Sequence, residues 1–505
     1  MNKGIVSTGS PEATQAAVEI LKAGGNAIDA AVSAVFTSMT SEFGLTGASG
    51  GGAMMIKKPQ GTPLLYDFFV DTPLVSKNNN LIEFIKADVD FGSSSQSFYI
   101  GKGSIAVPGN LNGLVKVHKD LGKIPLKIVL SHGIEIAKKG YTLNKEQAYV
   151  FKILKPIFSH SLDSRKLLCK NGSPLEEGDI FYNIDFANFL EMVSIEGSDF
   201  FYKGEIAKQL AFLLEDGGLV DFNALKSYKT QIRKPVHTLF KGLNVYSNPA
   251  PSSGGSLIIF LLRLLEAEKS ISLKKLLKAM LVTNQARLDF CSNPNDKLQY
   301  VRLLEEVNFK SYLNNFNSSV VSNSKNDDIG RGSTTHVSVI DKDGYCASVT
   351  TSNGEGSGYI LPGTGIMLNN MLGEEDLNPQ GFHNWEGKRR LATMMSPSII
   401  TKDEKPLMIL GSGGSNRIRS ALVQVIINYF CKNMNLKDSI ESPRIHLEGN
   451  RLFYEPEVTD RFDTYFKDMS LIPFQEKNLF FGGVNAVTLL DGYSDSRRGG
   501  SYACV

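Results

Sequence analysis

The sequence contains little cysteine and little histidine. Five cysteines occur, far apart and without a CxxC pair: Cys169, Cys291, Cys346, Cys431 and Cys504. An odd number of scattered cysteines argues against a disulfide framework, and the seven histidines do not pair at the spacing of metal ligands. We therefore expect no metal site, and we interpret Cys346 as a small buried residue.

Long hydrophobic runs and an excess of charge of one sign are also missing. The longest apolar run, residues 257–262, is far too short to span a bilayer. The first residues lack the apolar core of a signal peptide, so we expect a cytoplasmic protein. Lys and Arg total 54 against 52 Asp and Glu, which leaves no basic excess typical of nucleic-acid binding. The sequence thus predicts neither a membrane partner nor a nucleic-acid partner.

The 505 residues have the composition of an ordinary globular protein, with 42% hydrophobic and 21% charged side chains. Ser10 can cap a helix that begins with a proline, and apolar periodicity supports several more helices. The predicted helices cover residues 11–22, 26–39, 111–121, 126–138, 206–214, 256–268 and 417–430. Residues 110–290 are accordingly expected to be mostly helical.

After residue 333 the sequence pattern changes from helical periodicity to that of β-strands. Residues 334–340 and 345–351 are predicted as two strands of a hairpin around the tight turn 341–344. Further strands are expected at 53–56, 399–401, 407–410 and 486–490. Residues 312–333, rich in Asn, Ser and Asp, are interpreted as a mobile surface segment. Hairpins combined with long helices predict an α+β protein of packed layers.

The segment Gly-Ser-Thr-Thr-His at 332–336 leads from that polar stretch directly into a strand. If the chain were cut before Thr334, this residue would carry both a hydroxyl nucleophile and a free α-amine. An α-amine has a reference pKa of about 7.7–8.0, so it can act as the base at neutral pH. Taken alone, the segment is more typical of an ordinary β-strand than of a nucleophile.

Eight short motifs follow one another in a recognisable order. They are GGNAIDAA at 24–31, GGG at 50–52, VPG at 107–109, PSSGG at 251–255, TTH at 334–336, LNN at 368–370, MSP at 395–397 and GSGGS at 411–415. In this order the sequence resembles the γ-glutamyltranspeptidase family. The resemblance implies an N-terminal nucleophile (Ntn) hydrolase with a four-layer αββα sandwich.

The resemblance also implies self-cleavage between Ser333 and Thr334. The products would be a large subunit, 1–333, and a small subunit, 334–505, which together form one composite domain and a heterodimer. Thr334 would then attack a small-molecule amide, γ-glutamyl or another acyl amide, and form an acyl-enzyme. Water or an acceptor amine would complete the reaction, so hydrolase and transferase activity are both expected, and no cofactor is implied.

Further site residues are carried over from the family's motifs. Gly413 and Gly414 match the glycines of the oxyanion hole, where backbone N–H groups and a helix N-terminus stabilise negative charge. Thr351 matches the second threonine, which orients the nucleophile, with Ser352 as the alternative. The substrate-binding positions correspond to Asn353, Glu374, Thr393 and Ser412. A phosphate-binding loop and a plain glycine turn are the alternatives for 411–416, but the Walker lysine and the GxGxxG spacing are absent.

Several positions depart from the family, and Phe69 is the most consequential of them. The segment YDFFVDTP at 66–73 has Phe69 where the family has the arginine that binds the substrate carboxylate. Phenylalanine cannot form a bidentate ion pair, so we expect an acyl group other than γ-glutamyl. An acylase for β-lactam-like or other side-chain amides, and an uncleaved relative that serves as a binder or scaffold, are the alternatives. We interpret His336, two residues after Thr334, as a structural neighbour rather than the base.

Overall fold

The computed structural model describes residues 3–73, 81–90, 95–290, 293, 296, 298–317, 333–378, 381–385, 387–458 and 469–505. The helices are α1 Pro11–Lys22, α2 Ala27–Ser41, α3 Asn110–Leu121, α4 Leu126–Lys139, α5 Lys145–Ile153, α6 Lys155–Phe158, α7 Leu162–Leu168, α8 Ile184–Glu196, α9 Asp199–Tyr202, α10 Glu205–Leu213, α11 Phe222–Lys226, α12 Gly254–Leu265, α13 Leu273–Phe290, α14 Gln299–Leu303, α15 Glu306–Asn317, α16 Arg417–Phe430 and α17 Leu436–Glu441.

The strands are β1 Gly4–Thr8, β2 Gly51–Lys57, β3 Leu64–Phe68, β4 Ile85–Asp90, β5 Ser95–Ile100, β6 Tyr141–Thr142, β7 Cys169–Lys170, β8 Ser173–Pro174, β9 Ile180–Phe181, β10 Gln231–Arg233, β11 Val236–Phe240, β12 Leu243–Ser247, β13 Thr335–Asp341, β14 Cys346–Ser352, β15 Ile360–Leu361, β16 Ile366–Met367, β17 Ser398–Lys402, β18 Lys405–Gly413, β19 Ile445–Glu448, β20 Arg451–Tyr454, β21 Ser470–Pro473, β22 Gly483–Thr488, β23 Gly492–Ser494 and β24 Ser501–Cys504.

Local sequence determines where the first two helices begin. The Ser10 side chain accepts a hydrogen bond from the Ala13 N–H, and Pro11 follows it at the first helical position. Asn26 and Asp29 form a reciprocal capping box at the start of α2. The boundaries predicted for α1, α2 and α16 are therefore confirmed to within about two residues, the margin within which helix ends are defined.

Two large antiparallel sheets form the centre of the molecule. The first has the strand order β10-β3-β2-β14-β13-β1-β24, and the second has the order β11-β12-β17-β18-β22-β23. In the first sheet, β1, β2, β3 and β10 precede residue 334, whereas β13, β14 and β24 follow it. The strand β1 lies between β13 and β24, so the two parts of the chain are interleaved within one sheet.

An apolar cluster joins the two sheets. Ile5, Met55 and Ile340 of the first sheet pack with Ile399 and Ile409 of the second. On the other side of the first sheet, α1–α4 share a larger core with β13 and β14. Helices α12 and α16 pack against β11 and β18 of the second sheet. The chain is thus an α+β protein, as predicted.

Residues 110–290 are mostly helical, as predicted, and contain α3–α13. The sequence did not predict β10, β11 and β12 at 231–247, because strands of three to five residues are too short for a strong periodic pattern. Two other predictions about secondary structure need correction. The hairpin strand begins at Thr335 rather than at Thr334. Residues 312–317 are the end of α15 and not part of a surface loop, whereas 318–332 lie outside the described residues, as does Cys291.

The described residues lack a membrane-spanning helix and a metal-binding cluster. No helix in those ranges is long and apolar enough to cross a membrane. Within the same ranges, no group of three or more His, Cys, Asp or Glu side chains is arranged to hold a metal ion.

Candidate active site

Thr334 lies immediately before β13, where the central hairpin meets the loop after β18. The residue is buried, and its carbonyl oxygen accepts a hydrogen bond from Arg498 Nη1 at 3.1 Å. Beside it is a small cavity of about 20 Å³, the space of roughly one water molecule. The residues that line this cavity are Phe69, Thr334, Ser352, Met371, Glu374, Asp376, Leu377, Thr393, Met394, Met395, Ser415 and Ile418.

The strand β14 presents Ser352, and not Thr351, to Thr334. Ser352 lines the small cavity, and its hydroxyl donates a hydrogen bond to the Ser333 carbonyl oxygen. Thr351 is paired with Thr335, and its hydroxyl is 2.8 Å from the hydroxyl of Thr46. Because consecutive strand residues point to opposite faces, Thr351 cannot share the position of Ser352. The geometry therefore favours Ser352, the alternative named from the sequence, over Thr351 as the hydroxyl next to Thr334.

Two of the predicted substrate-binding residues reach the cavity and two do not. Glu374 and Thr393 line it. Asn353 instead donates a hydrogen bond to the Met367 carbonyl at 3.0 Å. The Ser412 hydroxyl accepts a hydrogen bond from the Gly483 N–H at 3.0 Å and so fixes the neighbouring turn. Asn353 and Ser412 are thus placed as supports of the surrounding backbone, not as lining of the cavity.

The glycines predicted for the oxyanion hole approach Thr334 closely. A Cβ atom built on Gly413 would lie 2.1 Å from the Thr334 carbonyl oxygen, so no side chain fits there. Gly414 has a φ of +118°, which a residue with a side chain rarely adopts. The helix α16 begins three residues later, at Arg417, and its N-terminus adds positive potential. The loop therefore brings backbone N–H groups and a helix end toward Thr334.

Buried carboxyl groups surround the Ser333–Thr334 peptide. Glu355 Oε1 accepts a hydrogen bond from the Ser333 N–H at 2.9 Å, and burial raises the pKa of Glu355 to about 8. Burial, followed by repulsion from Glu355 and Asp376, raises the pKa of Glu374 well above its usual value. Asp376 is bound by the Ser415 hydroxyl and by Asn416 Nδ2. Glu355 was missed because the sequence places it in a glycine-rich turn.

The His336 side chain lies on one face of β13, and Glu42 packs against the other face, where Thr335 points. His336 Nδ1 is 2.7 Å from the Thr350 hydroxyl, and burial lowers the pKa of His336 to about 3. A side chain with so low a pKa is neutral at physiological pH and is held by its neighbours. Glu42 accepts a hydrogen bond of 2.6 Å from the Thr335 hydroxyl, and burial raises its pKa to about 6.

A comparison of the sequence with known families decides the assignment. The pattern described as Gamma-glutamyltranspeptidase matches residues 13–505. The chain belongs to the gamma-glutamyltranspeptidase family.

Curated relatives agree with this family. The glutathione hydrolase proenzyme of Escherichia coli (strain K12) is 30% identical over 477 residues, covering 88% of this chain and 81% of that protein. The capsule biosynthesis protein CapD proenzyme of Bacillus anthracis is 27% identical over 515 residues, covering 98% and 90%. The acylase ACY 1 proenzyme of Pseudomonas sp. (strain SE83) is 28% identical over 479 residues, covering 91% and 85%.

Solved structures show the same fold. The cephalosporin acylase from Bacillus halodurans superposes with a TM-score of 0.85 at 20% identity, covering 99% of this chain and 96% of that one. The Helicobacter pylori gamma-glutamyltranspeptidase superposes with a TM-score of 0.53 at 26% identity, covering 62% and 91%. The chain is therefore an enzyme of the Ntn-hydrolase type, a hydrolase or acyltransferase of the gamma-glutamyltranspeptidase family.

Phe69 lies in an apolar wall of this transpeptidase-family site. It packs with Met371, Leu377 and Met395, and no Lys or Arg is among the described residues that line the small cavity. Arg390 follows in the same region, but Asp67 and Asp71 bind its guanidinium at 2.9 and 2.8 Å. The described lining of the small cavity therefore supplies no cation beside Phe69.

A larger cavity of about 920 Å³ adjoins the other side of the Ser333–Thr334 peptide. Ser333 and Glu355 line it, together with Glu42 and Arg498. Burial lowers the pKa of Arg498 to about 10, which keeps it cationic at neutral pH. Arg498 was also missed from the sequence, since it is 164 residues from the threonine whose carbonyl it binds.

Proposed function

We propose that this protein is an amide hydrolase and acyltransferase that cleaves itself between Ser333 and Thr334. Thr334 is its nucleophile, the freed α-amine of Thr334 is its base, and its acyl group is not γ-glutamyl. The observation that carries the proposal is the way the Ser333–Thr334 peptide is held. Ser352 donates to its carbonyl oxygen, and the Gly413–Gly414 loop lies against the next residue.

Self-cleavage proceeds in two steps, an acyl shift and the hydrolysis of an ester. The Thr334 Oγ attacks the Ser333 carbonyl carbon, the C–N bond breaks, and the hydroxyl proton passes to the departing α-amine. Water then hydrolyses the resulting ester, which leaves a carboxylate on Ser333 and restores the hydroxyl. Ser352 would stabilise the negative charge that develops on the Ser333 oxygen.

The mature reaction repeats this chemistry on a small amide. Thr334 Oγ attacks the substrate carbonyl while the α-amine takes its proton, and the amine leaving group departs with that proton. Backbone N–H groups of Gly413 and Gly414 stabilise the oxyanion. Water or an acceptor amine then attacks the acyl-enzyme. The larger cavity beside Ser333 has room for the leaving group and the acceptor.

The family context supports the proposal. The three curated relatives described above are named proenzymes, and they include a glutathione hydrolase and an acylase. We infer a four-layer αββα order from the two facing sheets and their outer helices. The two fragments, 1–333 and 334–505, form a heterodimer within it. A cytoplasmic location stays a prediction.

The apolar wall around Phe69 favours an acylase as the second candidate. Such an enzyme shares the nucleophile and the oxyanion hole, and only its acyl pocket differs. Glu374 and Thr393 remain available to bind the acyl group, because both line the small cavity. Turnover of a γ-glutamyl anilide that equals or exceeds that of the other acyl anilides would disprove the specificity part of the proposal.

The first experiment follows cleavage of the purified chain by denaturing gel and intact mass. Fragments of about 36 and 19 kDa are expected from the residue shares of the 55.3 kDa chain, the smaller one beginning Thr-Thr-His. Thr334→Ala should abolish both fragments. The matched control, Thr335→Ser, keeps the hydroxyl that binds Glu42 and should be cleaved normally. A chain that stays whole after long incubation would favour the binder or scaffold alternative.

A further inference from the structure

Phe69 is held by hydrogen bonds at both of its backbone polar groups. Its N–H donates to Asp67 Oδ1 at 3.1 Å, and its carbonyl oxygen accepts a hydrogen bond of 2.6 Å from the Tyr228 hydroxyl. The Phe69 ring is buried and lines the small cavity. Since β3 ends at Phe68, these side-chain contacts, and not strand pairing, fix the position of the ring.

Arg390 fastens both of these hydrogen-bond partners. Its guanidinium binds the carboxylates of Asp67 and Asp71 at 2.9 and 2.8 Å, and it lies over the Tyr228 ring at 5.0 Å. The Arg390 side chain is 7% exposed. Charge-assisted hydrogen bonds of a planar guanidinium fix geometry as well as adding energy. We refer to Asp67, Asp71, Tyr228 and Arg390 as the Phe69 clamp.

Two glycines of the sequence motifs allow the main chain at Phe69 to pack closely. A Cβ on Gly51, from the GGG motif, would lie 2.7 Å from the Val70 nitrogen and 3.0 Å from Phe69 Cα. A Cβ on Gly109, from the VPG motif, would lie 2.3 Å from the Tyr228 hydroxyl oxygen and 2.8 Å from the Phe69 carbonyl oxygen. A side chain at either glycine would push this segment out of place, so both motifs support the position of Phe69.

The other apolar side chains of the small cavity adapt more easily. They are Met371, Leu377, Met394, Met395 and Ile418. Three of them are methionines, whose unbranched side chains fill irregular gaps and rearrange readily. Phe69 is therefore the fixed part of the wall, and its position decides how far an acyl group can extend there.

Ser333 indicates how large that acyl group is. In the proposed self-cleavage, the Ser333 carbonyl carbon is the acyl carbon of the ester on Thr334. Once the end of the large subunit has left, a propanoyl group can replace the carbonyl, Cα and Cβ of Ser333 atom for atom. The small cavity adds about 20 Å³, the space of roughly one water molecule. That volume does not hold an aromatic ring.

We infer that Tyr228 and Arg390 are positioning residues that set the size of the acyl group. By holding Phe69 against the small cavity, the clamp admits short acyl groups such as propanoyl and excludes groups that carry a ring, such as phenylacetyl. Neither residue is among the described residues that line the two cavities, so both act through Phe69. This inference rests on the proposed function, in which Thr334 forms an acyl-enzyme.

Tyr228→Phe tests the inference, because it removes one hydroxyl and leaves the ion pairs of Arg390 in place. The measured quantity is the ratio of kcat/KM for propanoyl p-nitroanilide to that for phenylacetyl p-nitroanilide. We expect a wild-type ratio of about 100 and a tenfold lower ratio in the variant, about the effect of one hydrogen bond. A wild-type ratio of one or less would overturn the inference, as would a variant ratio within about twofold of wild type.

Tyr202→Phe is the matched control. Tyr202 is also buried, its ring stacks on that of Tyr228 at 5.7 Å, and its hydroxyl donates to a backbone carbonyl oxygen, that of Pro108, at 3.0 Å. A loss of stability alone reduces the amount of active enzyme and lowers both kcat/KM values by the same factor. The ratio should therefore stay at the wild-type value in Tyr202→Phe. An equal fall of the ratio in both variants would contradict a specific role of Tyr228.

A double variant tests whether the effect passes through Phe69. Phe69→Leu shortens the fixed part of the wall and should lower the ratio about tenfold on its own. Adding Tyr228→Phe should then lower it by less than about threefold more, because the ring that the clamp holds is gone and the two changes are coupled. Fully additive effects would show that Tyr228 acts elsewhere and would overturn the inference.

The cleavage gel separates the two possible failures. Tyr228→Phe should be cleaved like wild type, since the Tyr228 hydroxyl binds Phe69 and not the Ser333–Thr334 peptide. An uncleaved and inactive wild-type chain would remove the proposed function, and the inference with it. A cleaved and active chain whose ratio does not respond to Tyr228→Phe would remove only the inference.

Discussion

The hydroxyl of Ser352 donates a hydrogen bond to the main-chain carbonyl oxygen of Ser333, the residue that precedes the proposed nucleophile. This oxygen would become negatively charged when Thr334 attacks. Ser352 reaches it because it ends β14 on the face that lines the small cavity, one residue beyond Thr351. The uncleaved protein therefore already holds a hydrogen-bond donor on the carbonyl oxygen of the peptide bond that is to be cut.

Ser352→Ala should therefore slow self-cleavage. Loss of one preorganised donor to an oxyanion costs about 100- to 1000-fold in rate, and a cleavage time course on denaturing gels measures it. The matched variant Thr351→Ala removes only the contact with Thr46 on the other face, so its cleavage rate should stay within about threefold of wild type. If Thr351→Ala slowed cleavage more than Ser352→Ala did, Thr351 would instead be the residue that orients the nucleophile.

Gly413→Ala should prevent cleavage, because the added Cβ would lie 2.1 Å from the Thr334 carbonyl oxygen and force the two segments apart. We expect the rate to fall by at least about 100-fold, given that small misplacements of reacting groups carry costs of this order. Gly133→Ala is the control. A Cβ on this α4 residue would make ordinary contacts of 3.5 Å with the α2 backbone at Phe36 and Thr37, so this variant should be cleaved normally and be slightly more stable. Normal cleavage of Gly413→Ala would rule out a close approach by this loop.

Glu42 should make stability depend on pH between about 4.5 and 6. Burial raises the pKa of Glu42 from 4.5 to about 6 in the folded state, so the folded state binds this proton more tightly than the unfolded chain does. Its stabilising contribution is complete below pH 4.5 and is lost as pH rises through about 6, by about 2 kcal/mol in all.

The variant Glu42→Gln isolates this contribution, because glutamine does not titrate. Relative to wild type, its free energy of unfolding should increase by about 2 kcal/mol between pH 4.5 and pH 7. Urea titrations at several pH values measure this difference. Parallel profiles of the two proteins would show that Glu42 is not the titrating group.

Phe69 should contribute to stability as a core residue. Phe69→Ala removes a ring that is 1% exposed and should lower the free energy of unfolding by about 3–5 kcal/mol. Phe212→Ala removes a ring that is 79% exposed and should change it by less than about 0.5 kcal/mol. Urea denaturation of both variants measures the contrast. If Phe69→Ala changed the free energy of unfolding by less than about 1 kcal/mol, Phe69 would not be a tightly packed core residue and could move to admit a ligand.

The sequence was sufficient for features that depend on local patterns. The cap at Ser10, the start of α2 near Asn26, the hairpin around the turn 341–344 and the glycine loop before α16 are all visible within short windows. A local pattern does not determine which face of a sheet a strand residue occupies, because a shift of one position turns its side chain to the other side. For this reason the sequence alone could not decide between Ser352 and Thr351 as the residue next to Thr334.

The residues missed from the sequence share another property. Arg498 contacts Thr334 only because β24 and the loop before it return to the first sheet, and Glu355 contacts Ser333 across the end of the hairpin. No periodicity within a segment encodes contacts of this kind. Asn353 and Ser412 were assigned by motif position, but their side chains bind backbone groups near the cavity.

The position of β1 between β13 and β24 has a consequence for the cleaved protein. A cut before Thr334 leaves β1 hydrogen-bonded on both edges to strands of the other fragment, and β2 remains paired with β14. The fragments could then part only by dissolving the central sheet. Dilution would not release them, subunits would not exchange between molecules, and the nicked enzyme would melt in a single cooperative transition.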